Sequence, residues 1–277
     1  MIMSWLALAP LLLLAQPAPQ LDITFKTVNQ TELKADFYPA KSAEAGPKPF
    51  IVVIHGGAWI QGKRQDMAPY CLSLSQQGFS CAAVQYRLAR PDSLWPAQLE
   101  DAQDAVRYFR SNAAKYDIRP DRIAALGASA GAHLSLILGM KESASQTGVS
   151  SKVQAVVNLF GPTDLTRDFQ PILVQLVARQ VLGKAPEEAT EAMKQFSPVN
   201  LVAKDSAPVF TIHGTADTVV PVIQATRLDE ALKKAGVDHS LRLIQDLGHE
   251  DPSKKPGGPE ALVEAIGFLN KHLRKAG

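Results

Sequence analysis

Ser129 sits at the centre of Gly127-Ala-Ser-Ala-Gly131, Asp217 closes His213-Gly-Thr-Ala-Asp217, and His249 lies in Leu247-Gly-His-Glu250. A serine hydroxyl is a poor nucleophile at neutral pH and becomes useful only beside a base that a third group orients. His249 is of the type that takes the serine proton and later returns it to a leaving group. Asp217 is of the type that holds the imidazole and stabilises its charged form. Serine, then acid, then histidine is a chain order that points to acyl transfer through a covalent intermediate. The competing role for Asp217 is a helix cap ahead of Pro221, and for His249 a solvated loop position.

Acyl transfer also needs hydrogen-bond donors where a carbonyl oxygen gains charge. His55-Gly56-Gly57-Ala58-Trp59 is a glycine-rich turn after an apolar run and supplies such amides. Gly57, Ala58 and Ala130 are assigned as the oxyanion donors and His55 as a brace for the loop. Trp59 is read as a wall of the acyl pocket, with plain core packing as the alternative. His133 reads as a packed helix residue, His239 and His272 as surface positions, and His213 as the end of a strand.

Positioning these groups takes strands that end at one edge of a sheet, where open α/β folds bind ligands. Asp22 to Val28 and Thr31 to Tyr38 alternate apolar and polar residues around Asn29-Gln30, which predicts a hairpin. Phe50 to Ile54, Phe79 to Tyr86, Ile123 to Leu126, Val153 to Leu159, Val209 to Ile212 and Leu241 to Ile244 are short apolar runs, as in parallel strands buried on both faces. Helices are predicted around Met67 to Gln77, on the stripe Leu99, Ala102, Val106 and Phe109 up to about Tyr116, after Ser129, and on Leu262, Ile266, Leu269 and Leu273. The expected fold class is α/β: a mostly parallel eight-stranded sheet with helices on both faces and an antiparallel N-terminal hairpin. One domain spans 22–274, with 164–201 as a candidate lid or pocket-wall insertion.

Across 277 residues, 29 basic and 27 acidic side chains give a net charge of +2, and no basic run offers a nucleic-acid footprint. Cys71 and Cys81 are the only cysteines and read as two buried thiols, with pairing left open. Neither a metal nor a cofactor is expected. Met1 to Ala15 carries no charge, and its apolar run is short for a membrane span, so residues 1–18 read as a signal peptide with cleavage after Ala15 or Ala18. Against this, no Lys or Arg precedes Lys26 and Pro10 interrupts the run, so an apolar segment on a cytoplasmic enzyme is the alternative to a periplasmic or secreted one. No membrane span is expected in the mature chain, and the oligomeric state is left unassigned.

His55-Gly-Gly-Ala-Trp, Gln85-Tyr-Arg-Leu-Ala89, Trp95-Pro-Ala-Gln-Leu-Glu-Asp101, the serine pentapeptide and His213-Gly-Thr-Ala-Asp217 resemble the α/β-hydrolase esterases. The resemblance covers roughly residues 22 to 274. It is nearest to the bacterial acetyl xylan and feruloyl esterase-like group, which is similar to the hormone-sensitive-lipase-like carboxylesterases. The latter usually carry an acidic residue before the serine and a helical cap ahead of the His-Gly-Gly loop. This chain has Ala128 and a strand hairpin instead. The resemblance implies the α/β-hydrolase fold and cleavage of a small-molecule or polysaccharide-linked ester, such as an acetyl or feruloyl ester. Amide hydrolysis by an arylformamidase or peptidase is the alternative on the same three residues, and a non-enzymatic binding module is the third reading.

Overall fold

The apolar runs form the middle of a single eight-stranded sheet. The computed structural model describes residues 17–42, 44–143 and 148–274; the expected signal peptide, residues 1–18, lies outside them up to residue 16. The strands are β1 (Gln20–Val28), β2 (Thr31–Tyr38), β3 (Lys48–Ile54), β4 (Ser80–Val84), β5 (Ile118–Ala128), β6 (Ala155–Leu159), β7 (Val209–Gly214) and β8 (His239–Ile244). They lie in the order β1-β2-β4-β3-β5-β6-β7-β8. Only β1–β2 and β2–β4 pair antiparallel, and every other neighbour is parallel. Asn29 and Gln30 both take positive φ, 47° and 64°, the backbone a tight hairpin turn requires.

The period of two decides the layers. Phe50, Val52 and Ile54 of β3 enter one core with Val84 and Ala125, while Ile51 and Val53 enter the other with Cys81 and Ala124. Among the described residues the α-helices are, in chain order, α1 (Ala68–Gln76), α2 (Ala97–Ser111), α3 (Ala130–Met140), α4 (Pro171–Leu176), α5 (Pro186–Phe196), α6 (Pro198–Leu201), α7 (Ile223–Ala235) and α8 (Gly258–Leu273). α2, α3 and α7 cover the first face through Val106, Leu134 and Leu228. α1 and α8 cover the second through Leu74 and Leu269. Among the described residues no helix is long and apolar enough to cross a membrane.

Several boundaries differ from the sequence reading by a residue or two, and two differ by more. The helix α2 stops at Ser111 rather than near Tyr116, because the Asn112 side chain donates to the Tyr108 carbonyl at 2.8 Å and closes the last turn. The strand β5 starts at Ile118, and its pairing with β3 jumps from Lys48–Ile118 to Phe50–Ile123, so Arg119-Pro120-Asp121 bulges from the ladder. Cys71 on α1 and Cys81 on β4 are both free and buried, with the Cys81 thiol 3.2 Å from the Cys71 carbonyl oxygen.

One buried charge ties the hairpin to the sheet centre. Asp101 on α2 has no solvent exposure and receives Lys26 Nζ at 2.7 Å, Arg87 Nε at 2.8 Å and the Arg87 amide at 2.9 Å. Two cations and a backbone donor satisfy a carboxylate that could not be buried alone. The Gln85-Tyr-Arg-Leu and Leu-Glu-Asp101 segments are therefore one structural unit that fixes the chain leaving β4.

Candidate active site

Ser129 occupies the single residue between β5 and α3, with φ 53° and ψ −118°. That backbone is unfavourable for any L-residue and persists only where its surroundings dictate it. They do so here by close approach. A Cβ on Gly127 would lie 2.2 Å from the Gly131 carbonyl oxygen, and one on Gly131 would lie 2.1 Å from that of Ile54. The Ser129 amide donates to Leu159 O at 2.9 Å, which ties the turn to β6.

His249 Nε2 stands 2.9 Å from Ser129 Oγ, and its Nδ1 stands 2.8 Å from Asp217 Oδ2. The structure thus brings the three side chains into one hydrogen-bonded line past the carboxyl ends of β5, β7 and β8. The His249 ring meets the edge of Phe160, with centroids 4.9 Å apart. Asp217 has a fully buried side chain, and its second oxygen accepts the amides of Val219 at 2.9 Å and Val220 at 2.8 Å. The turn-capping role and the contact with His249 are therefore held by separate oxygens of one carboxylate. Burial opposes charge on this carboxyl, but His213, His249 and the Val220 amide outweigh it and hold the group well below the usual carboxylate range.

Ala58 and Ala130 both line the cavity beside Ser129. As the first residue of α3, Ala130 has an amide with no carbonyl partner inside the helix, and the positive end of the helix dipole points the same way. Ala58 and Trp59 have φ of 50° and 63°, in the left-handed region that favours glycine. The Gly57 carbonyl accepts the amides of Ile60 and Gln61, both at 3.0 Å, which closes the loop. His55 braces that loop as a buried ring, with Nδ1 2.7 Å from Gly56 O and its face stacked on Tyr86 at 4.2 Å. Burial holds the His55 pKa below its ordinary value, so the brace is neutral.

The cavity measures about 50 Å³ and is walled by Trp59, Leu165, Phe169, Val174, Val177 and Val220, among others. Trp59 both lines it and packs edge-on against His133 at 5.0 Å, so its two candidate roles coincide. Leu165, Phe169, Val174 and Val177 come from the 164–201 segment, which supplies one wall of the cavity.

His133 is fully buried, and desolvation pushes its pKa down to about 4 although Nε2 contacts the Phe196 carbonyl at 2.9 Å. In the unfolded chain the ring titrates near 6.5, so below that pH the unfolded state binds the extra proton. Stability is therefore complete above about pH 6.5 and falls as pH drops towards 4, by on the order of 3 kcal/mol for this group. Urea midpoints measured at pH 7 and pH 4.5 should show the fall, and His133→Phe should shrink it.

Two contributors were not singled out from the sequence. His213, fully buried at the end of β7, has Nε2 2.7 Å from the Val220 carbonyl and 3.4 Å from Asp217 Oδ2. Gln224, fully buried on α7, accepts the amides of Thr163 at 2.9 Å and Asp164 at 2.7 Å through one oxygen. Its nitrogen donates to the carbonyls of Asp164 and Arg167, both at 3.1 Å. It pins the root of the cavity-wall segment. The legible signal was its spacing: Gln224, Leu228 and Leu232 lie four apart, which places a polar side chain on a buried helical stripe.

The profile of the BD-FAE family matches residues 35–232, which run from the hairpin through both the serine turn and the aspartate loop. The chain belongs to the BD-FAE family. Among curated proteins it is similar to the esterase LipC of Mycobacterium tuberculosis, 31% identical over 208 residues that cover 72% of this chain and 51% of LipC. The esterase LipQ of the same organism is 31% identical over 211 residues. The chain spans about half the length of these curated relatives. Among solved structures, a truncated carbohydrate esterase from gut microbiota superposes with a TM-score of 0.80 at 27% identity, covering 94% of this chain and 98% of that one. An acetyl ester-xyloside bifunctional hydrolase from Caldicellulosiruptor lactoaceticus gives 0.77 at 26% identity, covering 88% and 89%. This member of the BD-FAE family thus shares the α/β-hydrolase fold with esterases, over nearly its whole described length.

Proposed function

We propose that the chain is a serine esterase that cleaves carboxylic esters of short acyl groups through an acyl-enzyme. The observation that carries this reading is the line from Ser129 Oγ to His249 at 2.9 Å and on to Asp217 at 2.8 Å, opening into a small apolar cavity. His249 Nε2 takes the Ser129 proton as Oγ attacks the ester carbonyl carbon. The tetrahedral oxyanion lies against the amides assigned to it, Gly57, Ala58 and Ala130, where each donor is worth ~2.7–4 kcal/mol of transition-state stabilisation. As the intermediate collapses, the C–O bond to the alcohol breaks and the imidazolium gives its proton to the departing alkoxide. Water then attacks the acyl-serine with the same base, the acid leaves, and the proton returns to Oγ.

The acyl group follows from the cavity. A cavity of about 50 Å³ with an apolar lining favours acetyl to butyryl groups. The names of relatives, an esterase and a carbohydrate esterase among them, support ester over amide hydrolysis. Export through the uncharged Met1–Ala15 leader is part of this reading and rests on sequence.

The test is a series of p-nitrophenyl esters from acetate to octanoate. kcat/KM should hold up to butyrate and fall about tenfold or more by octanoate, since extra methylenes in a filled cavity cost ~1–3 kcal/mol. Preference for octanoate would overturn the assignment of acyl size, and absence of turnover on the whole series would overturn the activity.

A further inference from the structure

Beyond the cavity its walls stay apolar as they reach solvent. One bank is α4, Pro-Ile-Leu-Val-Gln-Leu, whose single polar residue is Gln175 and which buries none of its side chains. Leu173 and Val174 of this helix line the cavity, and Ile172 beside them is 66% exposed. The other bank is the turn entering α7, where Val219 lines the cavity at 40% exposure and Ile223 is 42% exposed. The two banks are tied at their base. Gln224, next to Ile223, holds Thr163 and Asp164, and Arg227 pairs with Asp168 at 2.9 Å, just ahead of α4. The opening above Ser129 therefore has apolar residues on both sides, and among the described residues that line the cavity itself none is charged.

We infer that this opening is the subsite for the alcohol half of the ester, and that it takes an alkyl or aryl alcohol rather than a sugar. The inference rests on the esterase reading above and deepens it. Continuity argues for the occupant: the apolar cavity beside Ser129 takes the acyl group, and the group on the far side of the scissile bond leaves past Val219 and the exposed Ile172 and Ile223 that neighbour the lining residues. Sugar hydroxyls pressed against these side chains would give up water without gaining partners. An alkyl chain gains about fourfold in binding per buried methylene, the equivalent of ~0.8 kcal/mol.

The test compares kcat/KM for n-hexyl acetate with that for acetylated xylobiose, in the wild-type chain and in Ile172→Asp and Ile223→Asp. Alkyl alkoxides are poorer leaving groups than sugar alkoxides, so intrinsic reactivity favours the sugar ester and any excess for hexyl acetate comes from binding. The wild-type ratio should exceed about ten, and each variant should lower it about tenfold, the ~1.4 kcal/mol of apolar contact replaced by a charge. Both substitutions sit at exposed positions, and a thermal melt confirms that the variants are folded. A wild-type ratio at or below one overturns the inference, as does a ratio unmoved in both folded variants. A rim that instead joins two copies of the chain would show as a dimer split by the variants with the ratio unmoved, and this also overturns it. Ser129→Ala separates the two levels: turnover retained by that variant refutes the esterase reading itself. Its loss, together with a wild-type ratio below one, refutes only the alcohol assignment.

Discussion

Ser129→Ala should lower kcat for p-nitrophenyl acetate by about a million-fold, as loss of a serine nucleophile does in other hydrolases. The substitution is clean because alanine keeps the Cβ and can hold the same backbone, φ 53° and ψ −118°, which the contacts around Gly127 and Gly131 impose. The amides proposed as oxyanion donors and the apolar wall also stay in place, so KM should change far less than kcat. A residual rate ~10³–10⁴-fold above that of water would come from those amides and from binding alone. Steady-state kinetics against the wild-type chain measure both quantities. A variant within tenfold of wild-type kcat would remove Ser129 from the chemistry.

Asp217→Asn should lower kcat about ten-thousand-fold, with the fold and KM nearly intact. The reason is the division of labour between the two oxygens. Oδ1 accepts two backbone amides, from Val219 and Val220, so an asparagine must place its carbonyl oxygen there. Its NH₂ group then occupies the position of Oδ2, 2.8 Å from His249 Nδ1. A donor at that position forces Nδ1 to accept, and the ring proton moves to Nε2, facing Ser129 Oγ. In that tautomer the imidazole has no lone pair for the serine proton. Kinetics on the variant, with an unfolding curve as control, test this. A loss of less than about a hundredfold would mean that Asp217 does not set the tautomer.

Much of this arrangement was legible in the chain. Parallel strands buried on both faces have to be continuously apolar, so Phe50–Ile54 and Val209–Ile212 announced themselves, as did the strand-end positions of Ser129, Asp217 and His249. The bulge at Arg119–Asp121 was not legible, because pairing register is set by the neighbouring strand and not by the segment itself. The glycine-rich composition of the loop points to amide donors at Gly57 and Ala58. Which amide faces the cavity depends on the positive φ of Ala58 and Trp59, and that is a tertiary property. The cavity volume was hidden for a related reason: it depends on how α4 returns over Ser129, held by the buried side chain of Gln224. Gln224 itself carried a signal in its helical spacing, and His213 carried one as a polar residue ending a fully buried strand.

The central claim is that an acyl group resides on Ser129 during turnover. Acid quenching of the wild-type chain within the first turnovers of p-nitrophenyl acetate, followed by peptide mass mapping, tests it most directly. An acetyl group is expected on Ser129 and is absent from Ser129→Ala. Steady turnover with the acetyl group on another residue, or with no acetylated peptide in the quenched enzyme, would contradict it.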